Sequence, residues 1–234
     1  MEIIMDQKLY PYTIPIKEMV ARYEKNYTAA INDIFQARGL HNQWLGPEIK
    51  CITKHLEREV VAGFAFTVQW IHDPLPDERD KPAAKMVQSY PEDSIIVVDT
   101  GSDQISGFWG ELATTICIKN GVRGAVINGG AKDTGFVKKM DFPIFCKFSS
   151  PVDGFYRSRL HAWQVPIWFN GVRINPGDLI VGDSDGVLVI PQEIAEEVLI
   201  EAERTSERET ITRGLLKEGV SAVTASEKTG RKDL

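Results

Sequence analysis

The sequence lacks an excess of basic residues, a long apolar run and a regular cysteine pattern. Its 27 Lys and Arg residues are outnumbered by 33 Asp and Glu residues, and the formal net charge is -6. Because nucleic-acid binding depends mainly on clustered positive charge, we expect no nucleic acid among the partners. The three cysteines, Cys51, Cys117 and Cys146, share no close spacing, which favours free thiols over a zinc site or a disulfide framework.

The sequence also indicates no segment for export or for crossing a membrane. Residues 1–8 include Glu2 and Asp6 and form no continuous apolar core, unlike a secretion signal. The longest mostly apolar stretch, residues 60–71, contains Gly63 and Gln69 and is well short of the roughly 20 residues that a membrane helix needs. We therefore expect a soluble, cytoplasmic protein.

The order of apolar and polar residues predicts an α/β chain with helices at both ends. Apolar steps of three and four in residues 14–37 predict two helices that are separated near Asn26, with Thr28 as the cap of the second. A long surface helix is predicted at residues 192–217. Between them the pattern predicts short helices at 82–89 and 110–118, and strands at 60–70, 94–99, 124–128, 142–147, 165–169, 178–181 and 186–190.

Two short motifs flank the predicted strand at 124–128. Residues 110–113 open a helix, and residues 128–133 follow the strand. Ligands of a strand-helix-strand unit usually bind where strands end and helices begin, so we expect the two motifs to share one neighbourhood. The free amides of the helix N-terminus would stabilise a substrate carboxylate, and Lys132 would add a positive charge.

Glu111 and Asp133 offer hard oxygen ligands that suit Mg²⁺ or Mn²⁺, and such a metal could polarise a ketone and stabilise an enolate. A purely structural interpretation fits the same pattern, with Glu111 favouring the first helical turn and Asp133 capping a loop. A Schiff base on Lys132 is a further alternative, although the neighbouring Asp133 favours a charged ammonium.

The triplets that begin at Asp99 and Asp133 each resemble the strand-and-turn motif of aspartic proteases. They lie too close together in the chain for each to have a protease lobe, so Thr100 and Gly101 are better explained as an ordinary turn. The segment 99–103 also resembles the glycine-rich loop of methyltransferases, but it lacks the run of glycines.

Residues 109–113 and 121–133 together resemble the signature of the pyruvate aldolases related to regulator of ribonuclease activity A. The stretches 29–33, 61–68 and 175–187 support the same match, so the resemblance covers about residues 28–200. It implies a single domain over residues 1–234, with a layered β/β/α sandwich of the swivelling-domain type. It also implies N-terminal and C-terminal helices, with the C-terminal helix and tail at about residues 192–234.

The resemblance implies a class II, metal-dependent lyase that cleaves a 4-hydroxy-2-oxo acid, with oxaloacetate decarboxylation as a related activity. It implies a homotrimer or a hexamer with the site at a subunit interface. Asp133 would bind Mg²⁺ or Mn²⁺ directly, and Glu111 would bind the metal or its water. The implied catalytic residues are Lys132, Asp133 and Glu111, and the implied substrate-binding residues are Gly110, Glu111, Leu112, Ala113 and Lys132.

Two residues depart from the family pattern. Lys132 stands where the family usually has Arg, and Asn128 stands where it usually has Asp. An ammonium is a flexible point charge and lacks the planar fork with which a guanidinium grips two oxygens. Two alternatives therefore stay open, namely a lyase for a different oxo acid and a non-catalytic, protein-binding regulator of ribonuclease activity.

Overall fold

The computed structural model describes residues 10–53, 60–73 and 80–230, apart from the side chains of residues 80–82 and 155. The expectation for residues 1–8 lies outside the described residues. Among the helices of the described ranges, none combines the length and the apolar character that a membrane span requires. All three cysteines carry reduced thiols, as their spacing predicted.

Seven α-helices and eleven strands are seen in the described residues. The helices are α1 Ile16–Tyr23, α2 Thr28–Ala37, α3 Asp80–Gln88, α4 Glu111–Lys119, α5 Thr134–Val137, α6 Ala195–Lys217 and α7 Ala222–Thr229. The strands are β1 Lys50–Cys51, β2 Val61–His72, β3 Ser94–Asp99, β4 Gly107–Trp109, β5 Gly124–Ala131, β6 Ile144–Ser149, β7 Ser158–Trp163, β8 Ile167–Phe169, β9 Val172–Ile174, β10 Leu179–Gly182 and β11 Val187–Ile190.

Within the described ranges, the main sheet has nine strands. Its central path runs β1-β6-β5-β3-β2-β10-β11, while β4 pairs with β5 and β7 pairs with β2. Strands β2, β3, β5 and β6 are parallel to one another, and the outer strands pair antiparallel. Strands buried on both faces read as continuous apolar runs, which is why the segment 94–98 is so rich in Ile and Val.

Successive side chains of the central strands point to opposite faces and belong to different cores. Phe66 and Ile96 pack on the face that carries the helices, whereas Ala65 and Val97 pack on the face covered by the hairpin β8–β9. The terminal helices α1, α2 and α6 cover the other end of the helical face, against β2, β10 and β11. The structure confirms the predicted layered α/β fold with helices at both ends.

The predicted cap of α2 is wrong. Thr28 is the first residue of α2, and the capping position is Tyr27, whose side chain makes no capping hydrogen bond. The N-terminus of α2 is instead capped by a residue that is distant in the chain. Asp183 accepts hydrogen bonds from the Thr28 amide at 2.7 Å and from the Thr28 hydroxyl at 2.8 Å. Asp183 begins the predicted turn between β10 and β11, and that turn is confirmed.

Replacing Asp183 with Ala should therefore destabilise the fold. The buried Thr28 amide and hydroxyl would lose their charged acceptor, which should lower the free energy of unfolding by about 3 kcal/mol. Urea unfolding followed by circular dichroism measures this loss. Asp185→Ala is the control, since Asp185 is exposed in the same turn and should change stability by less than about 0.5 kcal/mol. Equal effects of the two variants would contradict this explanation.

Candidate functional site

The two motifs predicted to share a neighbourhood are brought together by the pairing of β4 with the end of β5. Gly107 lies opposite Gly130, and Trp109 lies opposite Ala131, in a parallel arrangement. The Lys132 amide then donates a hydrogen bond of 2.7 Å to the Trp109 carbonyl. Because α4 follows β4 directly, its N-terminus lies beside the residues that leave β5.

Two glycines make this close approach possible. A Cβ atom on Gly107 would lie 2.9 Å from the Cβ atom of Lys132, and a Cβ atom on Gly110 would overlap the Asp133 carboxylate oxygen Oδ2. Neither glycine has a positive φ, so the reason for glycine here is space and not backbone conformation. The absence of two side chains thus leaves room for Lys132 and Asp133 against β4 and α4.

Asp133 has an unusual backbone conformation. Its φ of 54° and ψ of 29° are left-handed, a region that costs a residue other than glycine about 1–2 kcal/mol. It occupies the capping position of α5, but its side chain makes no capping hydrogen bond there. Its Oδ2 instead accepts the Glu111 amide hydrogen bond at 3.4 Å. The exposed carboxylate therefore faces α4, which does not match the structural interpretation of Asp133 as a loop cap.

The N-terminus of α4 has unpaired amides. Its first backbone hydrogen bond runs from the Thr114 amide to the Gly110 carbonyl at 3.1 Å. The amides of Leu112 and Ala113 precede that bond and have no partner within the described part of the chain. Such amides carry partial positive charge and suit an anionic ligand. Glu111, also in this turn, is partly exposed and lies 3.5 Å from the Thr115 hydroxyl.

Lys132 forms an ion pair with Asp153, and the Nζ to Oδ2 distance is 2.5 Å. The hydrogen bond that Lys132 donates to Asp153 raises the pKa of Lys132, and the negative charges of Asp153 and Asp133 act in the same direction. The ammonium therefore remains charged at neutral pH, which disfavours a Schiff base. Sequence reasoning missed Asp153, because it lies in the loop between β6 and β7 and has no motif around it.

The surface around these residues is open and partly apolar. The exposed fraction is 74% for Leu112, 68% for Phe136 and 38% for Ile116. Across the described ranges, no group of three or more His, Cys, Asp and Glu side chains is placed to hold a metal ion. A divalent ion here would have the carboxylates of Asp133 and Glu111 and otherwise water, which is a ligand set that Mg²⁺ and Mn²⁺ accept.

Asn128 lies apart from this site, on the opposite side of β5 from the neighbouring residue Ile127. Its carbonyl accepts a 2.6 Å hydrogen bond from the Thr100 hydroxyl. Its side chain lines a separate cavity together with Asp99 and Lys147. The two departures from the family pattern, Lys132 and Asn128, thus belong to different environments.

The chain is similar to known proteins over most of its length. A family model described as RraA-like, Aldolase/RraA, matches residues 28–189. Protein DlpA of Legionella pneumophila is 31% identical over 172 residues, which are 74% of this chain and 27% of DlpA. A Halalkalibacterium halodurans protein named "putative 4-hydroxy-4-methyl-2-oxoglutarate aldolase" is 33% identical over 140 residues, which are 60% of this chain and 66% of that protein.

A solved structure gives the same result for the fold. An uncharacterized protein from Pseudomonas syringae pv. tomato superposes with a TM-score of 0.81 at 28% identity, and the match covers 94% of this chain and 97% of the other. The family model covers well over half of the chain and includes β4, α4 and the end of β5. The chain belongs to the RraA-like family, Aldolase/RraA.

Proposed function

We propose that the protein is a metal-dependent carbon-carbon lyase that cleaves a 4-hydroxy-2-oxo acid and releases pyruvate. Decarboxylation of oxaloacetate would be a related activity. The observation that carries the proposal is the meeting of a carboxylate, an ammonium and free helix amides, with 3.4 Å between the Glu111 amide nitrogen and Asp133 Oδ2. The aldolase name of the Halalkalibacterium halodurans relative supports the same reaction class.

The groups around α4 have two proposed roles, substrate binding and charge stabilisation. The amides of Leu112 and Ala113 would bind the substrate carboxylate, helped by the positive end of the α4 dipole. Lys132 would place its ammonium beside the ketone oxygen. Its ion pair with Asp153 is partly solvent-exposed, so a substrate oxygen can share the ammonium with Asp153 at little cost.

Asp133 and Glu111 would hold Mg²⁺ or Mn²⁺, since their carboxylates are the hard oxygen ligands that these ions take. The space created by the missing Cβ of Gly110 is what allows the Asp133 carboxylate to reach this position. When bound, the ion would supply a Lewis acid that stabilises negative charge on the substrate oxygens.

In the proposed reaction the bond between C3 and C4 of the substrate breaks. Its electron pair remains on C3 as the enolate of pyruvate, and the C4 hydroxyl becomes the carbonyl of the second product after losing its proton to water. The Lys132 ammonium stabilises the enolate oxygen, and the enolate carbon then takes a proton from water. Loss of carbon dioxide from oxaloacetate leaves the same enolate, so one set of groups serves both substrates.

We further propose that other copies of the chain complete the site in a homotrimer or hexamer. The exposed side chains of Leu112, Ile116 and Phe136 would be covered in such an assembly, and covering them would exclude water from the substrate. We assign residues 1–234 to one cytoplasmic domain. The sharing of β2 among all three hydrophobic clusters supports one domain.

A second candidate is a non-catalytic regulator of ribonuclease activity. The exposed apolar side chains beside α4 favour it, because they could bind another protein as readily as a second copy. Such a regulator would not need the Asp133 carboxylate. A third candidate is a lyase for another oxo acid. The reason is that the Lys132 ammonium is a single point charge, whereas the guanidinium of an arginine is a planar fork that binds two oxygens.

Pyruvate formation separates these candidates. With oxaloacetate or 4-hydroxy-4-methyl-2-oxoglutarate and Mg²⁺ or Mn²⁺, we expect turnover that EDTA abolishes. Asp133→Ala should lower kcat/KM at least about 100-fold, the order expected for losing an electrostatic group at a reacting centre. Asp141→Ala is the matched control, because Asp141 is also exposed and lies nearby in the chain.

Metal-independent turnover would overturn the proposed chemistry. Turnover that is lost equally in Asp141→Ala would do so as well. Activity that appears only after Lys132→Arg would show that the natural substrate is a different oxo acid. Absence of turnover with every substrate and metal, together with capture of a ribonuclease, would favour the regulator.

The steric role of Gly110 gives a second prediction. Gly110→Ala should displace the Asp133 carboxylate and lower kcat/KM at least about tenfold, which corresponds to about 1.4 kcal/mol of transition-state stabilisation. Steady-state kinetics and thermal unfolding should be measured together. Gly135→Ala is the control, since a Cβ atom there would meet nothing within 4 Å. Full activity of Gly110→Ala would show that the Asp133 position is not required.

A further inference from the structure

A second part of the molecule has the features of a binding site. A cavity of about 860 Å³ opens at the carboxyl ends of the parallel strands β3, β5 and β6, where ligands of α/β sheets usually bind. Its wall includes the end of β3 and the turn at 101–104, which the proposed lyase reaction does not use. It also includes Trp168 and Asn170 from the hairpin β8–β9. The cavity is therefore on the hairpin face of the sheet.

A polar row crosses the floor of this cavity. Val98 pairs with Ile127, and Ile127 pairs with Cys146, after which the pairing of β5 with β6 becomes irregular. The next residues on the three strands, Asp99, Asn128 and Lys147, all line the cavity. The residues two positions earlier on each strand belong to the core under the hairpin, so these three side chains point toward the hairpin as well.

Asn128 and Asp99 have unused acceptor capacity. The Asn128 Oδ1 atom is buried without a hydrogen-bond partner, which costs free energy unless a ligand or water supplies a donor. Asp99 accepts one hydrogen bond, from the Gly101 amide at 3.1 Å, and has no other partner in the described ranges. Two hydrogen-bond acceptors that can each accept further hydrogen bonds therefore lie on adjacent strands.

The charged neighbours do not satisfy these acceptors. Lys147 donates to Asn170 Oδ1 at 3.0 Å and pairs with Glu48 at 3.3 Å, so its ammonium is already shared. The Asp103 carboxylate accepts three hydrogen bonds within its own turn, from the Ile105 amide and from the amide and hydroxyl of Ser106. Within the described ranges, the Asp99 carboxylate thus has no cation in hydrogen-bond or ion-pair contact.

We propose that this cavity binds the primary ammonium group of a small organic amine between Asp99 and Asn128. An ammonium carries three N–H donors, so one ammonium can donate to both Asp99 and Asn128. A hydroxyl has a single donor and could satisfy only one of the two. Within the described residues, no group of three or more His, Cys, Asp and Glu side chains is placed to hold a metal ion in this cavity.

The rim of the cavity suits the hydrocarbon part of such an amine. Trp168 is 62% exposed and lines the cavity with Phe148, so an alkyl or aryl group can cover an aromatic surface that otherwise faces water. A ring near a cation also adds a favourable electrostatic contact. The inference concerns a cavity that does not include Lys132 or Asp133, so it is independent of the proposed lyase activity.

The test uses n-butylammonium as the probe, with n-butanol and butyltrimethylammonium as matched probes. NMR titration of the full chain would follow the Trp168 indole N–H signal, assigned with Trp168→Phe. We expect n-butylammonium to bind at least about tenfold more tightly than n-butanol, which lacks the charge, and than butyltrimethylammonium, which lacks the N–H donors. Equal binding of the three probes, or no binding, would overturn the proposal.

Variants locate the binding. Asp99→Asn removes the charge but keeps the oxygen that accepts the Gly101 amide, and it should weaken n-butylammonium binding at least about tenfold. Asn128→Leu should have a similar effect if thermal unfolding shows that it folds, and the conclusion does not depend on it. Asp141→Asn, an exposed acidic residue outside the cavity, should leave the affinity unchanged. Unchanged affinity in Asp99→Asn would refute the assignment.

Discussion

Strand β4 lies alongside the last residues of β5, and the hydrogen bond from the Lys132 amide to the Trp109 carbonyl joins the two at their ends. The relative positions of the α4 amides and the Asp133 carboxylate at the candidate site depend on that register. Trp109 is buried, stacks on Phe142 and donates its indole N–H to the Thr114 hydroxyl at 3.0 Å, so the entry into α4 is fixed from both sides. A shift of β4 by one residue would separate the α4 amides from the Asp133 carboxylate.

The charges at this register bear on the proposed binding of a divalent cation. Two carboxylates, those of Asp133 and Asp153, act on the ammonium of Lys132, so these three side chains together carry an excess of negative charge. The positive end of α4 offsets part of this excess, and a cation would offset the rest. A lysine here also differs from an arginine, because its one charged atom must be shared between Asp153 and a substrate oxygen.

The sequence predicted the structure best where the spacing of the apolar residues and the positions of the polar residues agree. The apolar run of β3, the helical spacing of α4 and the second apolar run of β5 differ clearly in the sequence. These patterns predicted the three elements and the edge of the sheet where their polar ends meet. Strand β4 was missed because three residues that include Gly107 carry no periodicity, and β7 was missed because Arg159 and His161 interrupt its apolar pattern. The direction of the Asp133 carboxylate and the partner of Lys132 depend on the backbone conformation at 133 and on a distant loop, which spacing does not encode.

A crystal structure of the protein grown with Mn²⁺ and pyruvate tests most directly the proposal that Asp133 is a metal ligand at the N-terminus of α4. Anomalous scattering identifies the manganese position without reference to activity. We expect one Mn²⁺ about 2.1 Å from an Asp133 carboxylate oxygen, with pyruvate near the amides of Leu112 and Ala113. Manganese bound elsewhere, or pyruvate bound away from α4 while Asp133 stays free, would contradict it.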